Sequence, residues 1–166
     1  VVAGGLANAH HDSGEVQGPF FEGLEQRRDS ATMSQKPIEM ILIRQLASSL
    51  SMPMLIVGPD GTLVFYNEPI EYYLGRRFEE TGELPADVWR TIWMPSDENG
   101  VPIPLEEQPI TVAFRDQRPV HRRLWTHKLD DHISWLAEVT CFPLMGQGKR
   151  HLGAAVIAWP IEERRG

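Results

Sequence analysis

Reactive side chains are few in this sequence, and their spacing argues against the common catalytic arrangements. The lone cysteine, Cys141, sits in an apolar run between Thr140 and Phe142, where a free thiol acts as a small core hydrophobe. One cysteine also excludes an internal disulfide and a Cys-rich zinc site, in keeping with a reducing cytoplasm. Of the six histidines (His10, His11, His121, His127, His132 and His151) only the first two adjoin. His10-His11-Asp12 reads as a solvated stretch, and no metal site is expected. Gly146-Gln-Gly-Lys-Arg150 has the composition of a phosphate loop, yet no helix start follows to cradle an anion, so it reads as a hairpin turn. The acidic pairs Glu79-Glu80 and Glu106-Glu107 suit solvent-facing or helix-start positions. No Gly-x-Ser-x-Gly, His-Glu-x-x-His or Cys-x-x-Cys motif occurs. The expectation is a protein that is not an enzyme and has no catalytic residue.

Charge narrows the partners. A formal net charge of -7 opposes general affinity for nucleic acid, which depends on Lys and Arg against phosphate. The one concentrated basic region, Arg115, Arg118, His121, Arg122, Arg123, His127 and Lys128, is either an exposed strand edge or a seat for an anionic group or acidic partner. The longest apolar runs, Pro53 to Val57 and Leu152 to Pro160, fall far short of the roughly 20 residues of a membrane span. Asn8, His10, His11, Asp12 and Glu15 interrupt any signal-peptide core, so a cytoplasmic location is expected.

The elements that must position these side chains can be read from periodicity. Residues 1–35, rich in Gly, Ala, Ser, Asp and Gln, form an N-terminal arm. A flanking amphipathic helix spans 36–50, with Ile38, Ile41, Leu42, Leu46, Ala47 and Leu50 on one apolar face. Pro53 to Val57 and Leu63 to Tyr66 read as two short β-type runs around the Gly58-Pro59-Asp60-Gly61 turn. Asn67 is placed to cap a helix from Glu68 to Leu74 that Gly75 ends. Residues 76–103 suggest short helices and loops, and Leu105 to Phe114 reads as one helix. Strands Val120 to Leu129, Ile133 to Leu144 and His151 to Trp159 follow, joined at Asp130-Asp131 and at Met145 to Lys149. The order predicts an α+β fold, an antiparallel sheet with helices on one face.

Over residues 51–163 this sequence resembles the PAS domain family of bacterial sensory modules. The resemblance rests on Leu55-Ile-Val-Gly-Pro-Asp-Gly-Thr-Leu-Val-Phe-Tyr-Asn67 with Leu74-Gly75, and on Asn99-Gly-Val-Pro-Ile-Pro-Leu-Glu-Glu-Gln-Pro109 with Ala113-Phe114 and Arg118-Pro119-Val120. Trp135-Leu136, Pro143-Leu144 and Gly153-Ala-Ala-Val156 complete it. It implies a five-stranded antiparallel sheet, short helices over its concave face, a small central cavity, and a role in signal transduction that is often dimeric. The Asp-Ile-Thr that ends many relatives is replaced by Pro160, Ile161 and Glu162, and residues 164–166 are left as a tail. Covalent flavin is disfavoured because the only cysteine is on the penultimate strand. His-ligated haem is disfavoured because Leu105 to Phe114 contains no His. The cofactor, if there is one, stays unknown.

Fold does not assign a ligand, so the pocket is argued from residues. In the Ile133 strand, Trp135, Ala137, Val139 and Cys141 share an apolar face, and Phe65, Trp89, Trp93, Ile110 and Phe114 are expected to cover it. A small apolar or aromatic ligand would suit such a pocket. The alternative is a ligand-free protein-interaction or dimerisation module. Leu136, Phe142, Ile157 and Trp159 point to the other face, which needs a cover. A homodimer through Ile38, Ile41, Leu42 and Leu46 and that face is expected, alongside a downstream signalling protein or fused effector.

Overall fold

The structure, a computed structural model, describes residues 37–128 and 133–165. The N-terminal arm with His10 and His11, the Asp130-Asp131 turn and His132 lie outside the described residues. Lys36–Gly166 forms one compact unit. The first helix, α1 (Ile38–Ser48), precedes strands β1 (Met54–Val57) and β2 (Leu63–Tyr66). Three short helices follow, α2 (Glu68–Leu74), α3 (Phe78–Thr81) and α4 (Ala86–Ile92), then β3 (Trp93–Ser96) and α5 (Pro109–Asp116). The chain closes with β4 (Val120–Lys128), β5 (Ile133–Met145) and β6 (His151–Arg165). The sheet is antiparallel throughout, in the order β2-β1-β6-β5-β4-β3.

It has six strands rather than the five expected. The extra one, β3, pairs Trp93 to Ser96 with Trp125 to Lys128 at the sheet edge. Pro95 disguises it in the sequence, and only an edge strand tolerates the missing N–H. The expected helix from Leu105 to Phe114 is broken: a 3-10 turn, Leu105–Glu107, gives way at extended Gln108 to α5, because Pro109 cannot donate into a preceding turn. β6 runs to Arg165, paired with Ile133, so the expected tail is strand almost to its end. Pro160 is accommodated because β1 has already ended beside it: Ala158 N–H reaches the Pro53 carbonyl at 3.0 Å, and among the described residues no strand lies beyond on that side.

Local chemistry sets the corners. Gly61 turns the β1–β2 hairpin at φ +85°, and Asp60 Oδ1 accepts the Thr62 N–H at 3.0 Å. Gly75 stops α2 at φ 70° in the left-handed region. Contrary to the expectation, Asn67 does not cap α2 with its side chain; its carbonyl accepts the Ile70 and Glu71 N–H groups instead. Its amide turns the other way, toward α1.

Helix α1 folds back on the outer face of its own sheet. Met40, Ile43, Ala47 and Leu50, at helical spacing, pack on Met54, Ile56, Phe142, Leu144 and Ile157. Ala47 is fully buried, its small side chain letting the helix approach closely. The packed face is therefore rotated from the one read in the sequence. Ile38, Ile41, Leu42 and Leu46 are left exposed, whereas Phe142 and Ile157, assigned to a dimer surface, are covered by the chain's own helix.

Candidate functional site

Strand alternation directs Trp135, Ala137, Val139 and Cys141 to the inner face of the sheet, with Leu55 on β1, Leu124 and Thr126 on β4, and Val156 and Ala158 on β6 beside them. Helices α2, α4 and α5 close over this face with Ile70, Trp89 and Ile110. They enclose a cavity of about 120 Å³, predominantly apolar, into whose wall the edge strand adds Trp93 and Pro95. Tyr73 from α2 stacks on Trp135, ring centres 4.5 Å apart. Trp89 is anchored through its indole N–H, which donates to the Gly61 carbonyl at 2.9 Å.

Six of the nine residues expected around the pocket line this cavity: Trp89, Trp93, Ile110, Trp135, Val139 and Cys141. Three do not. Phe65 pairs with Ile56 and faces outward, where it meets Phe78 edge-on and lies under the Arg44 guanidinium; its neighbour Tyr66, opposite Leu55, is the inward residue. Phe114 lies one helical turn beyond Ile110 and packs edge-on against the His151 ring at 4.3 Å. Ala137 is fully buried but sits at the bulge where β5 meets Pro160, and its methyl does not reach the wall.

Polar groups at the cavity are sparse. Gln108 donates to the Ile103 carbonyl at 3.3 Å. The Trp93 indole N–H is shut off from solvent and from the cavity, with no acceptor among the described residues. Burial pushes the Cys141 thiol up to about 12, so it stays protonated and is a poor nucleophile.

The sequence reading missed a polar relay on the opposite face. Ser96 Oγ lies 2.6 Å from His127 Nε2, and His127 Nδ1 lies 2.8 Å from Ser134 Oγ, linking β3, β4 and β5. The pieces resemble a nucleophile, a base and an orienting group, but Ser96 is only 2% exposed, and the relay ties the edge strand to the sheet. Only contacts across three strands assemble it, so no local motif announces it.

The basic cluster is not an open patch. Arg115 and Arg118 pair with Asp116 at 2.7 and 3.6 Å, and Arg123 pairs with Glu138 at 2.9 Å. The hydrogen bond from Arg115 holds the Asp116 carboxyl below its ordinary value, and that from Arg123 does the same to Glu138. His121 Nδ1 lies 2.9 Å from Thr140 Oγ1. Among the described residues no three His, Cys, Asp or Glu side chains gather as a metal ion requires, and no helix is long and apolar enough to cross a membrane.

The antiparallel sheet with its short helices matches solved structures in fold. The Rhodobacter sphaeroides LOV protein matches with a TM-score of 0.57 at 15% identity, covering 76% of this chain and 69% of that one. The PAS domain of nitrogen regulation protein NR(II) from Vibrio parahaemolyticus gives 0.52 at 14% identity, over 72% and 98%. This chain has a PAS-domain fold. The LOV domain of a blue-light activated histidine kinase from Erythrobacter litoralis also matches, with a TM-score of 0.51 at 15% identity over 68% and 97%. No family model matches the sequence, and no curated protein does. In this PAS fold the outer face carries the flanking helix and the inner face the cavity, and the likeness to the matching structures is one of fold.

Proposed function

We propose that this PAS-fold domain is a non-catalytic sensor whose central cavity takes a small, apolar or aromatic molecule. The observation that carries the reading is the predominantly apolar cavity left between the inner face of the sheet and helices α2, α4 and α5. An apolar guest would fill space that side chains leave open. Size limits the guest: about 120 Å³ is well below the roughly 300 Å³ or more of sites for drug-sized ligands. Covalent flavin is disfavoured because the only cysteine, Cys141, is buried on β5, where burial holds its thiol protonated.

The second reading is a dimerisation module that signals without a ligand, and the exposed row of Ile38, Leu42 and Leu46 on α1 favours it. In either case the output is contact with a downstream signalling protein or a fused effector, in the cytoplasm, where the free Cys141 stays reduced. Native mass spectrometry of protein purified without added ligand, followed by thermal shifts with small aromatic ketones and phenols, tests the sensor. A reproducible small adduct, or stabilisation by one of those compounds, is the expected result. A clean ligand-free mass with no shift for any of them would leave the dimerisation reading standing.

A further inference from the structure

We propose that an open groove beside the free edge of β6 binds a proline-rich segment of a partner protein, in the polyproline II conformation and carrying a basic residue. The groove holds about 460 Å³ between α2, the segment that leads into β1, and β6. Helix α2 contributes Pro69, Tyr72 and Tyr73, β6 contributes Trp159 and Pro160, and Pro53 completes the wall. Two of its rings are open to a partner: Tyr72 is 67% exposed and Trp159 39%. The tyrosines are also held in place, because Tyr73 stacks on Trp135 at 4.5 Å and meets Tyr72 edge-on at 5.2 Å. Rings that are already ordered lose little freedom on binding.

Hydrogen bonding and charge select the occupant. An added β-strand does not suit this edge. Ala158 N–H points away from β5, to the Pro53 carbonyl at 3.0 Å, so residue 160 faces the same free edge, and there Pro160 has no N–H to offer. A strand laid along it would lose its ladder at that place. A polyproline II segment needs no ladder: its prolines have no N–H, and its carbonyls accept from side-chain donors such as the Trp159 indole. Its turn of three residues, about 9 Å long, sets proline rings against aromatic faces. Charge then chooses the flanking residue. Burial first, and then the nearby Glu163 carboxylate, push the Tyr73 phenol up, so a negative field reaches the groove. Glu68 is exposed one helical turn before Tyr72, and the basic strand β4 lies on the far side of β5. A cationic side chain beside the prolines complements that field. Apart from Pro53 the groove shares no lining residue with the central cavity, and the proposal needs neither a bound guest nor a dimer.

The test is a nitrogen–proton NMR titration of the intact protein with a capped hexaproline peptide carrying an N-terminal arginine. Two control peptides keep its length, one with glutamate in place of the arginine and one with alanine in place of the prolines. The Trp159 indole signal should shift and saturate at about a millimolar of the arginine peptide, with both controls at least about fivefold weaker. Trp159→Phe, which keeps a ring and removes the donor, should lower affinity about fivefold, and Tyr72→Ala about tenfold. In the Trp159→Phe variant the amide signals of Tyr72 and Tyr73 report binding. Tyr72 is exposed enough for its variant to keep the fold. A silent Trp159 indole, or equal binding of either control, would overturn the proposal. So would unchanged affinity in the Tyr72→Ala variant, or a Trp159 signal that moves on dilution of the protein alone, which would give the groove to a second copy.

Discussion

The side-chain amide of Asn67 donates to the carbonyl oxygen of Ala47 at 3.0 Å, joining the end of β2 to the end of the flanking helix. The same nitrogen lies 3.3 Å from the Leu50 carbonyl and 2.8 Å from that of Met52, and Oδ1 accepts the Met54 N–H at 2.9 Å. Asn67 is 2% exposed. Asn67→Ala should therefore cost about 2–4 kcal/mol in denaturant unfolding, since carbonyls and an N–H are orphaned together. Asn67→Asp should cost more at neutral pH, because a carboxylate would face three carbonyl oxygens. A loss below about 1 kcal/mol for both would show that water replaces the amide freely.

Val139 lines the cavity and Glu138 faces the other way. Val139→Trp should overfill the space, displacing any guest and destabilising the domain by about 1–3 kcal/mol. Glu138→Gln should leave the cavity and its guest alone. Equal effects in thermal unfolding would contradict the register of β5.

Burial pushes the Cys141 thiol from its ordinary 9.0 up to about 12. It also pushes the Tyr66 phenol from 10.0 to about 12, outweighing the opposing effect of its hydrogen bond with Thr81. Both groups hold their proton more tightly folded than unfolded. Stability is thus full below about pH 9, falls as the unfolded thiol and then the unfolded phenol ionise, and has lost this contribution once pH passes about 12. Between those limits each group contributes a slope of about 1.4 kcal/mol per pH unit. Unfolding measured from pH 8 to 11 should show the fall, and a Cys141→Ala, Tyr66→Phe variant should flatten it.

Gly153 adopts φ +133°, and a Cβ built there would run into the Val57 carbonyl oxygen across the β1–β6 pair. Gly153→Ala should cost about 3–5 kcal/mol or prevent folding. Gly100→Ala, at a positive φ in open space, should cost only about 1 kcal/mol. Comparable losses would mean that backbone strain, not the collision, sets the cost.

Ile38 and Leu42 are 63% and 57% exposed on α1, a surface a second copy would bury. Sedimentation of the full chain at tens of micromolar should report a dimer, and Leu42→Asp with Leu46→Asp should return it to a monomer. A wild-type monomer unchanged by those substitutions would exclude this surface.

Five of the strands were legible in the sequence. β1 and β2 announce themselves as short apolar runs around a turn of Gly, Pro and Asp, β4, β5 and β6 by their β-type runs and turn residues, and the inward set of β5 follows from period two alone. Phe65 was misplaced because a four-residue strand with apolar side chains on both faces carries no alternation. β3 was missed because a proline in a four-residue strand speaks against pairing until the edge is known. In α1 nearly every other position is apolar, so two helical faces compete, and only the docked surface of Met54 and Ile56 decides for Met40 and Ala47. The Ser96–His127–Ser134 relay and the place of Tyr73 over Trp135 arise from long-range packing, which one-dimensional spacing does not encode.

Topology also governs how this domain would respond to tension. Met54 of β1 lies opposite Ile157 of β6, so a load drawn through α1 and the C-terminal half of β6 reaches that antiparallel pair from one end. The four rungs from Met54↔Ile157 to Val57↔Ala154 would then open in turn, as a zip does, instead of resisting together in shear. The Asn67 amide sits at the mouth of that zip. Under force it is the latch, and the strength of the whole pairing would be set by one side chain.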